Sequence, residues 1–152
     1  MEDILFKILA FVVAVGLLVA VHEFGHFWVA RRLGVKVLRF SIGFGRPLWR
    51  RQSAPDEPEY VIAAIPLGGY VKMLDEREGS VDEADRARAF NNQSIAKRFA
   101  IVFAGPAFNF ILAIALYWIV FMMGTTVDRP FVGETRADSV AAQAGFQLKD
   151  EV

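Results

Sequence analysis

His22 and His26 are the only two histidines in a chain of 152 residues, and they flank a glutamate in His22-Glu23-Phe24-Gly25-His26. On a helix, residues i and i+4 share a face, so both imidazoles can reach one ion with Glu23 beside them. Imidazole suits zinc, and a catalytic zinc site needs three protein ligands plus an open position for water. Bound Zn2+ lowers the pKa of that water to about 7, within reach of a carboxylate acting as general base. The chemistry on offer is hydrolysis of a peptide carbonyl, with Glu23 catalytic and His22 and His26 as two of three metal ligands. Cysteine is absent, which removes disulfides, thiolate zinc sites and cysteine nucleophiles.

The elements that must position these residues are unusually apolar. Hydrophobic residues make up 55% of the chain and mean hydropathy is +0.35. The run from Ile8 to Ala30 is 23 residues long and carries no Lys, Arg or Asp. As a helix it reaches about 35 Å, enough to cross a hydrocarbon core of about 30 Å. A second run, Phe99 to Val127, has no charged residue and is bounded by Arg98 and Asp128. These patterns predict transmembrane helices over residues 4–30 and 99–124. A cleaved signal peptide does not account for the first run, whose leader is Met1-Glu2-Asp3 and which leads into a polar motif.

Net charge is zero, but its distribution is not even. Of 17 Lys and Arg residues, only Lys7, Arg129, Arg136 and Lys149 lie outside the stretch between the spans, which holds the other 13. The positive-inside rule then places residues 31–98 in the cytoplasm and both chain ends on the opposite side. Counted back from Arg31, His26 and His22 lie about 7 and 14 Å inside the membrane edge. A charged side chain at the centre of a membrane helix costs roughly 2.5–3.5 kcal/mol, so the bland reading of two histidines flanking a solvated glutamate is disfavoured there.

Between the spans, Leu38, Phe40, Ile42 and Phe44 alternate with Arg39, Ser41 and Gly43, a period-two strand. Tyr60 to Ile65 is a second β-prone run, Ser53–Glu59 with two prolines is the turn, and a small sheet over about 37–74 follows. Asp82–Phe99 reads as a polar helix that turns at Asn91-Asn92, with Ser94 as the N-cap of the approach to the second span. Pro106 and Asn109 interrupt that span: proline frees a carbonyl and kinks the helix, and Asn109 needs a polar partner. An amide is a poorer zinc ligand than imidazole or carboxylate.

His22-Glu23-Phe24-Gly25-His26 in a first membrane helix resembles the bacterial site-2 protease family, the type that processes a membrane anti-sigma factor. Phe40-Ser41-Ile42-Gly43-Phe44-Gly45 and Ile65-Pro66-Leu67-Gly68-Gly69-Tyr70-Val71-Lys72-Met73 resemble its post-helix loop, and Ala104-Gly105-Pro106-Ala107-Phe108-Asn109 its second-helix motif. The resemblance implies an intramembrane zinc endopeptidase that cuts transmembrane segments, with no nucleic-acid partner. It implies a mainly α-helical fold in a bacterial inner membrane, with a small sheet dipping into the bilayer and a PDZ domain on the periplasmic side. Substrate contacts would come from Gly43, Phe44, Gly45, Gly68, Gly69, Tyr70 and Asn109. A helical substrate must be extended for cleavage, and an edge strand can replace its lost backbone bonds.

The family's third zinc ligand is an aspartate in a Leu-Asp-Gly motif on a later helix, so that ligand is expected beyond Val152. Leu74-Asp75 is followed by Glu76 and sits in the cytoplasmic segment, so it is not that motif. Residues 125–152, with Gly133-Glu134 and Ser139 to Phe146, resemble the opening of a PDZ domain. The alternative is a non-catalytic metal-binding or scaffold protein, or an inactive fragment lacking the third ligand.

Overall fold

The computed structural model describes residues 2–124, 132–134 and 139–147. The chain divides into two units, Met1–Leu116 and Tyr117–Val152. Helix α1 spans Glu2–Arg32, strands β1 and β2 span Val37–Arg51 and Glu59–Met73, helix α2 spans Ile95–Met123, and helix α3 spans Val140–Gln143. Between β2 and α2 the chain forms two 3₁₀ turns, Glu83–Arg88 and Phe90–Asn92, where the charge pattern predicts a regular polar helix. That stretch has no apolar stripe to pack, so tertiary burial cannot stabilise an α-helix there.

Asp3–Arg32 and Ile95–Met123 are both long and apolar enough to cross a membrane. None of the most apolar window of α1 is buried inside the structure, and 17% of that in α2 is. Side chains such as Phe6, Leu9, Phe110 and Trp118 are all more than half exposed. An apolar surface of this extent needs lipid or another partner around it. Arg31 and Arg32 lie in the last turn of α1, where cations complement the helix dipole. Ser94 caps α2 as its sequence predicts, its Oγ accepting from Lys97 N at 3.4 Å.

β1 and β2 form one two-stranded antiparallel sheet, and each strand doubles back. Phe40 pairs with both Val71 and Tyr60, Ser41 with Tyr70 and Val61, and Ile42 with Gly69 and Ile62. The far part of β1 pairs with the near part of β2, Trp49 opposite Ile62 and Arg51 opposite Tyr60. The registers thus lay four segments side by side, in the order 47–51, 59–63, 37–44 and 69–73. Along the middle pairing both residue numbers rise together, so it runs parallel between antiparallel outer ones. The reversals fall around Gly43 (φ 88°) and Gly45 (φ 86°) in β1 and at Gly68 (φ 110°) in β2, a backbone region open to glycine without steric penalty. The alternation legible in the sequence covers Leu38–Phe44; the strand continues to Arg51, up to the predicted Ser53–Glu59 turn, because the glycines turn the chain back into the same sheet.

A small core ties the sheet to the C-terminal end of α1 and the N-terminal end of α2. Phe27, Ala30, Val35, Val37 and Ile101 are buried, with Phe40, Tyr60, Val71 and Phe90 packed against them. Phe27 meets the Phe40 and Tyr60 rings at centroid distances of 5.2 and 5.8 Å. Most of the expected PDZ opening lies outside the described residues. Within it, α3 is capped by Ser139, whose side chain accepts from Ala142 N at 3.2 Å.

Candidate active site

His22 and His26 sit one turn apart on α1, and their Nε2 atoms converge to 3.1 Å. Two nitrogens on a tetrahedral zinc with bonds of about 2.0–2.1 Å stand about 3.3 Å apart, so this separation fits a shared ion. His26 Nδ1 lies 2.7 Å from the carbonyl oxygen of Ile101 on α2. A carbonyl only accepts, so Nδ1 carries the proton and the His26 Nε2 lone pair is free. Pro106 is not the source of this acceptor: by helical spacing the carbonyl it leaves unpaired is that of Val102. Asn109 reaches His22 Nδ1 through its side-chain nitrogen at 3.3 Å.

The close approach of α1 and α2 depends on two glycines. A Cβ on Gly25 would stand 2.6 Å from the Ala104 carbonyl oxygen. A Cβ on Gly105 would overlap His26 Nε2 and stand 2.7 Å from His22 Nε2. Small residues at such crossings let apolar helices meet backbone to backbone. Gly25 and Gly105 fall inside the motifs quoted from the sequence but carry no role there, and the Ile101 carbonyl is not named. The available signal was Gly105 four residues before Asn109 inside an apolar span, which puts a gap and a polar group on one helix face.

Beside the histidines lies a cavity of about 250 Å³. Leu18, Val19, His22 and Glu23 line it from α1, Phe44, Gly68 and Gly69 from the sheet, and Asn109 from α2. A Cβ on Gly69 would stand 3.0 Å from Glu23 Cγ and 2.7 Å from the Ser41 carbonyl oxygen, so the 69–73 segment passes directly over the glutamate. Tyr70 stacks on Phe44 with ring centroids 6.2 Å apart, and its hydroxyl accepts from Arg39 Nη1 at 3.1 Å. Gly43 is buried, with the Ile65 carbonyl oxygen 2.7 Å from where a Cβ would be. Gly45 is exposed beside the Ile65 side chain. Of the predicted substrate-contacting residues, Phe44, Gly68, Gly69 and Asn109 therefore line the cavity itself. Gly43 and Gly45 form the turn behind it, and Tyr70 touches it through Phe44.

Among the described residues, no cluster of three or more His, Cys, Asp or Glu side chains could hold a metal. Asp75 is engaged elsewhere: its carboxylate accepts from Arg77 Nε, Nη2 and backbone N at 2.6–2.9 Å. Those Arg77 hydrogen bonds lower its pKa to about 2.

The sequence profile of peptidase family M50 matches residues 10–150. The chain belongs to peptidase family M50. It is 58% identical over 152 residues to a candidate zinc metalloprotease of Vibrio cholerae serotype O1, covering 100% of this chain and 33% of that protein. It is 58% identical over 153 residues to the regulator of sigma-E protease RseP of Escherichia coli K12, covering 98% of this chain and 34% of the relative. Protease RseP of Yersinia pestis matches at 56% over 153 residues, with 98% and 34% covered. The M50 chain thus spans about a third of the length of the curated relatives it matches. Every residue of the candidate site falls inside the matched region.

Proposed function

We propose that this chain is the histidine-bearing part of a zinc endopeptidase that cleaves transmembrane segments inside a bacterial inner membrane. The observation that carries the reading is the pair of Nε2 atoms 3.1 Å apart, next to Glu23 and open to a cavity. His22 and His26 would hold the ion through Nε2, and the third ligand would come from chain beyond Val152. When bound, zinc supplies the Lewis acidity that polarises a peptide carbonyl and makes water acidic near neutral pH. Glu23 takes the proton of the attacking water on its carboxylate and hands it to the leaving amine. Relatives named zinc metalloprotease and regulator of sigma-E protease support the metal and a part in sigma-E regulation, and the family resemblance suggests a membrane anti-sigma factor as the substrate class.

The sheet gives this reading a way to present substrate. Among the described residues, segment 69–73 has a sheet partner on one side only, and Gly69 lies against Glu23. An unwound substrate adding to that edge would exchange helical hydrogen bonds for strand bonds next to the general base. Gly43, Phe44, Gly45, Gly68, Gly69 and Tyr70 serve this role as the turn, wall and edge of the clamp. We read residues 31–98 as cytoplasmic, with the N-terminus and a PDZ-like region from residue 125 on the periplasmic side; the Ser139-capped helix supports the latter.

Glu23→Gln in the full-length protein tests the assignment. The expected result is zinc content equal to wild type with cleavage of a transmembrane substrate abolished. Retained cleavage would remove Glu23 as the base, and a non-catalytic scaffold would capture substrate equally in both forms.

A further inference from the structure

We propose that Asn109 is a positioning residue for His22, its side-chain oxygen accepting from His22 Nδ1–H and so holding the Nε2 lone pair toward the metal. The inference rests on the zinc reading above and follows from where the protons must lie. Ile101 O can only accept, so neutral His26 carries its proton on Nδ1 and presents a bare Nε2. His22 Nε2 faces that bare nitrogen at 3.1 Å, and the Asn109 amide nitrogen faces His22 Nδ1 at 3.3 Å. Read as drawn, this is a consistent chain: Asn109 donates to His22 Nδ1, His22 Nε2–H donates to His26 Nε2, and His26 Nδ1–H donates to Ile101.

With its proton on Nε2, His22 cannot be a ligand. Ligation requires the single His22 proton to sit on Nδ1, and the group facing Nδ1 must then accept. Asn109 carries such an acceptor. Among the described residues, its Oδ1 is buried without a hydrogen-bond partner and its nitrogen has no hydrogen bond other than that to His22. Turning the amide end for end therefore breaks no other hydrogen bond and replaces a nitrogen facing Nδ1–H with an oxygen. The two ends of an amide are close to the same shape, so the turn needs no repacking. A metal-bound histidine whose other nitrogen donates to a fixed oxygen is held in one tautomer and orientation. His26 obtains this from a backbone carbonyl, and His22 obtains it from Asn109.

The test is zinc affinity, measured by chelator competition on the full-length protein in detergent micelles. Asn109→Leu, which keeps the bulk and removes the acceptor, is expected to weaken zinc binding by about 10–100-fold. Asn109→Asp, which keeps an oxygen facing Nδ1–H, is expected to stay within about threefold of wild type or bind more tightly, again on the second-shell argument. A role as helix–helix glue through the amide N–H would not be rescued by aspartate. Wild-type affinity in folded Asn109→Leu overturns the proposal. Should Asn109→Leu fail to fold, a folded Asn109→Asp that has lost zinc as severely as His22→Ala overturns it instead. A His22→Ala protein that binds zinc like wild type would sink the metal reading itself, an outcome distinct from either.

Discussion

Gly105→Ala adds one methyl group at the point where α2 faces the two imidazoles. A Cβ built there overlaps His26 Nε2 and stands 2.6 Å from His26 Cε1 and 2.7 Å from His22 Nε2. Ordinary van der Waals contact begins near 3.4 Å, so the rings or the helix must yield by about 0.7–1.0 Å, most at His26 Nε2. Metal–ligand distances tolerate only about 0.2 Å, so a displacement of that size takes at least one imidazole out of its bond. The neighbours cannot swing away freely, because each ring is tied at its other nitrogen, to Ile101 O and to Asn109. Overpacking of this kind costs about 1–3 kcal/mol, which expressed as metal affinity is roughly fivefold to 150-fold. The opposing term is the helix preference for alanine over glycine, up to about 1 kcal/mol, and it acts on folding instead of on the metal. Gly16→Ala isolates that term, since a Cβ at Gly16 meets nothing within 4 Å. The assay is zinc competition on both variants, with helix content and monodispersity checked alongside. Zinc binding within twofold of wild type in folded Gly105→Ala would refute the claim that this glycine makes room for the metal ligands.

Two further predictions concern the sheet. Gly69→Val should leave zinc binding intact but lower cleavage by about tenfold or more, since its side chain would meet Glu23 Cγ and the Ser41 carbonyl; kcat/KM for a transmembrane peptide measures this. Lys36 bridges Asp56 and Asp85 at 2.5 and 2.6 Å, and this pairing lowers both carboxyl pKa values and raises its own. The carboxylate contribution is present above their unfolded pKa of about 3.9 and is lost as pH falls through the lower folded values. The lysine contribution is present below about 10.4 and fades as pH rises through its raised folded value. Protection of the 52–58 turn, corrected for intrinsic exchange, should therefore fall at both extremes in wild type; Lys36→Ala should remove the alkaline limb and weaken the acid one, where Arg88 still pairs both aspartates.

The two long helices, the strand starts and the His-Glu-His triplet were legible because each rests on a periodic or compositional signal. A charge-free run of apolar residues, a strict alternation and an i, i+4 pair survive any tertiary context. The doubling back of β1 was not legible, since the alternation of residues 38–44 carries no mark of the reversal that follows within one sheet. The partners of the histidines were hidden for a different reason. Ile101 contributes a backbone carbonyl, which leaves no trace in residue type, and Gly105 contributes the absence of a side chain. Asn109 did announce itself as a polar residue in an apolar span. Its type alone could not say whether it would face substrate, another helix or an imidazole.

A polar site inside two apolar helices must satisfy its own hydrogen bonds, because the surrounding phase supplies none. Here that requirement and the chemical one coincide. Each imidazole has one nitrogen committed to α2 and one turned toward the other imidazole, so the bonds that satisfy the site also aim its lone pairs. The aim depends on helix spacing. Gly25 against the Ala104 carbonyl and Gly105 against the imidazoles bring α2 close enough for Ile101 and Asn109 to reach. Any change that widens this crossing should lower metal affinity even when no ligand is altered. Gly25 is thus more than a filler between the two histidines: its missing side chain brings their hydrogen-bond partners on α2 into reach.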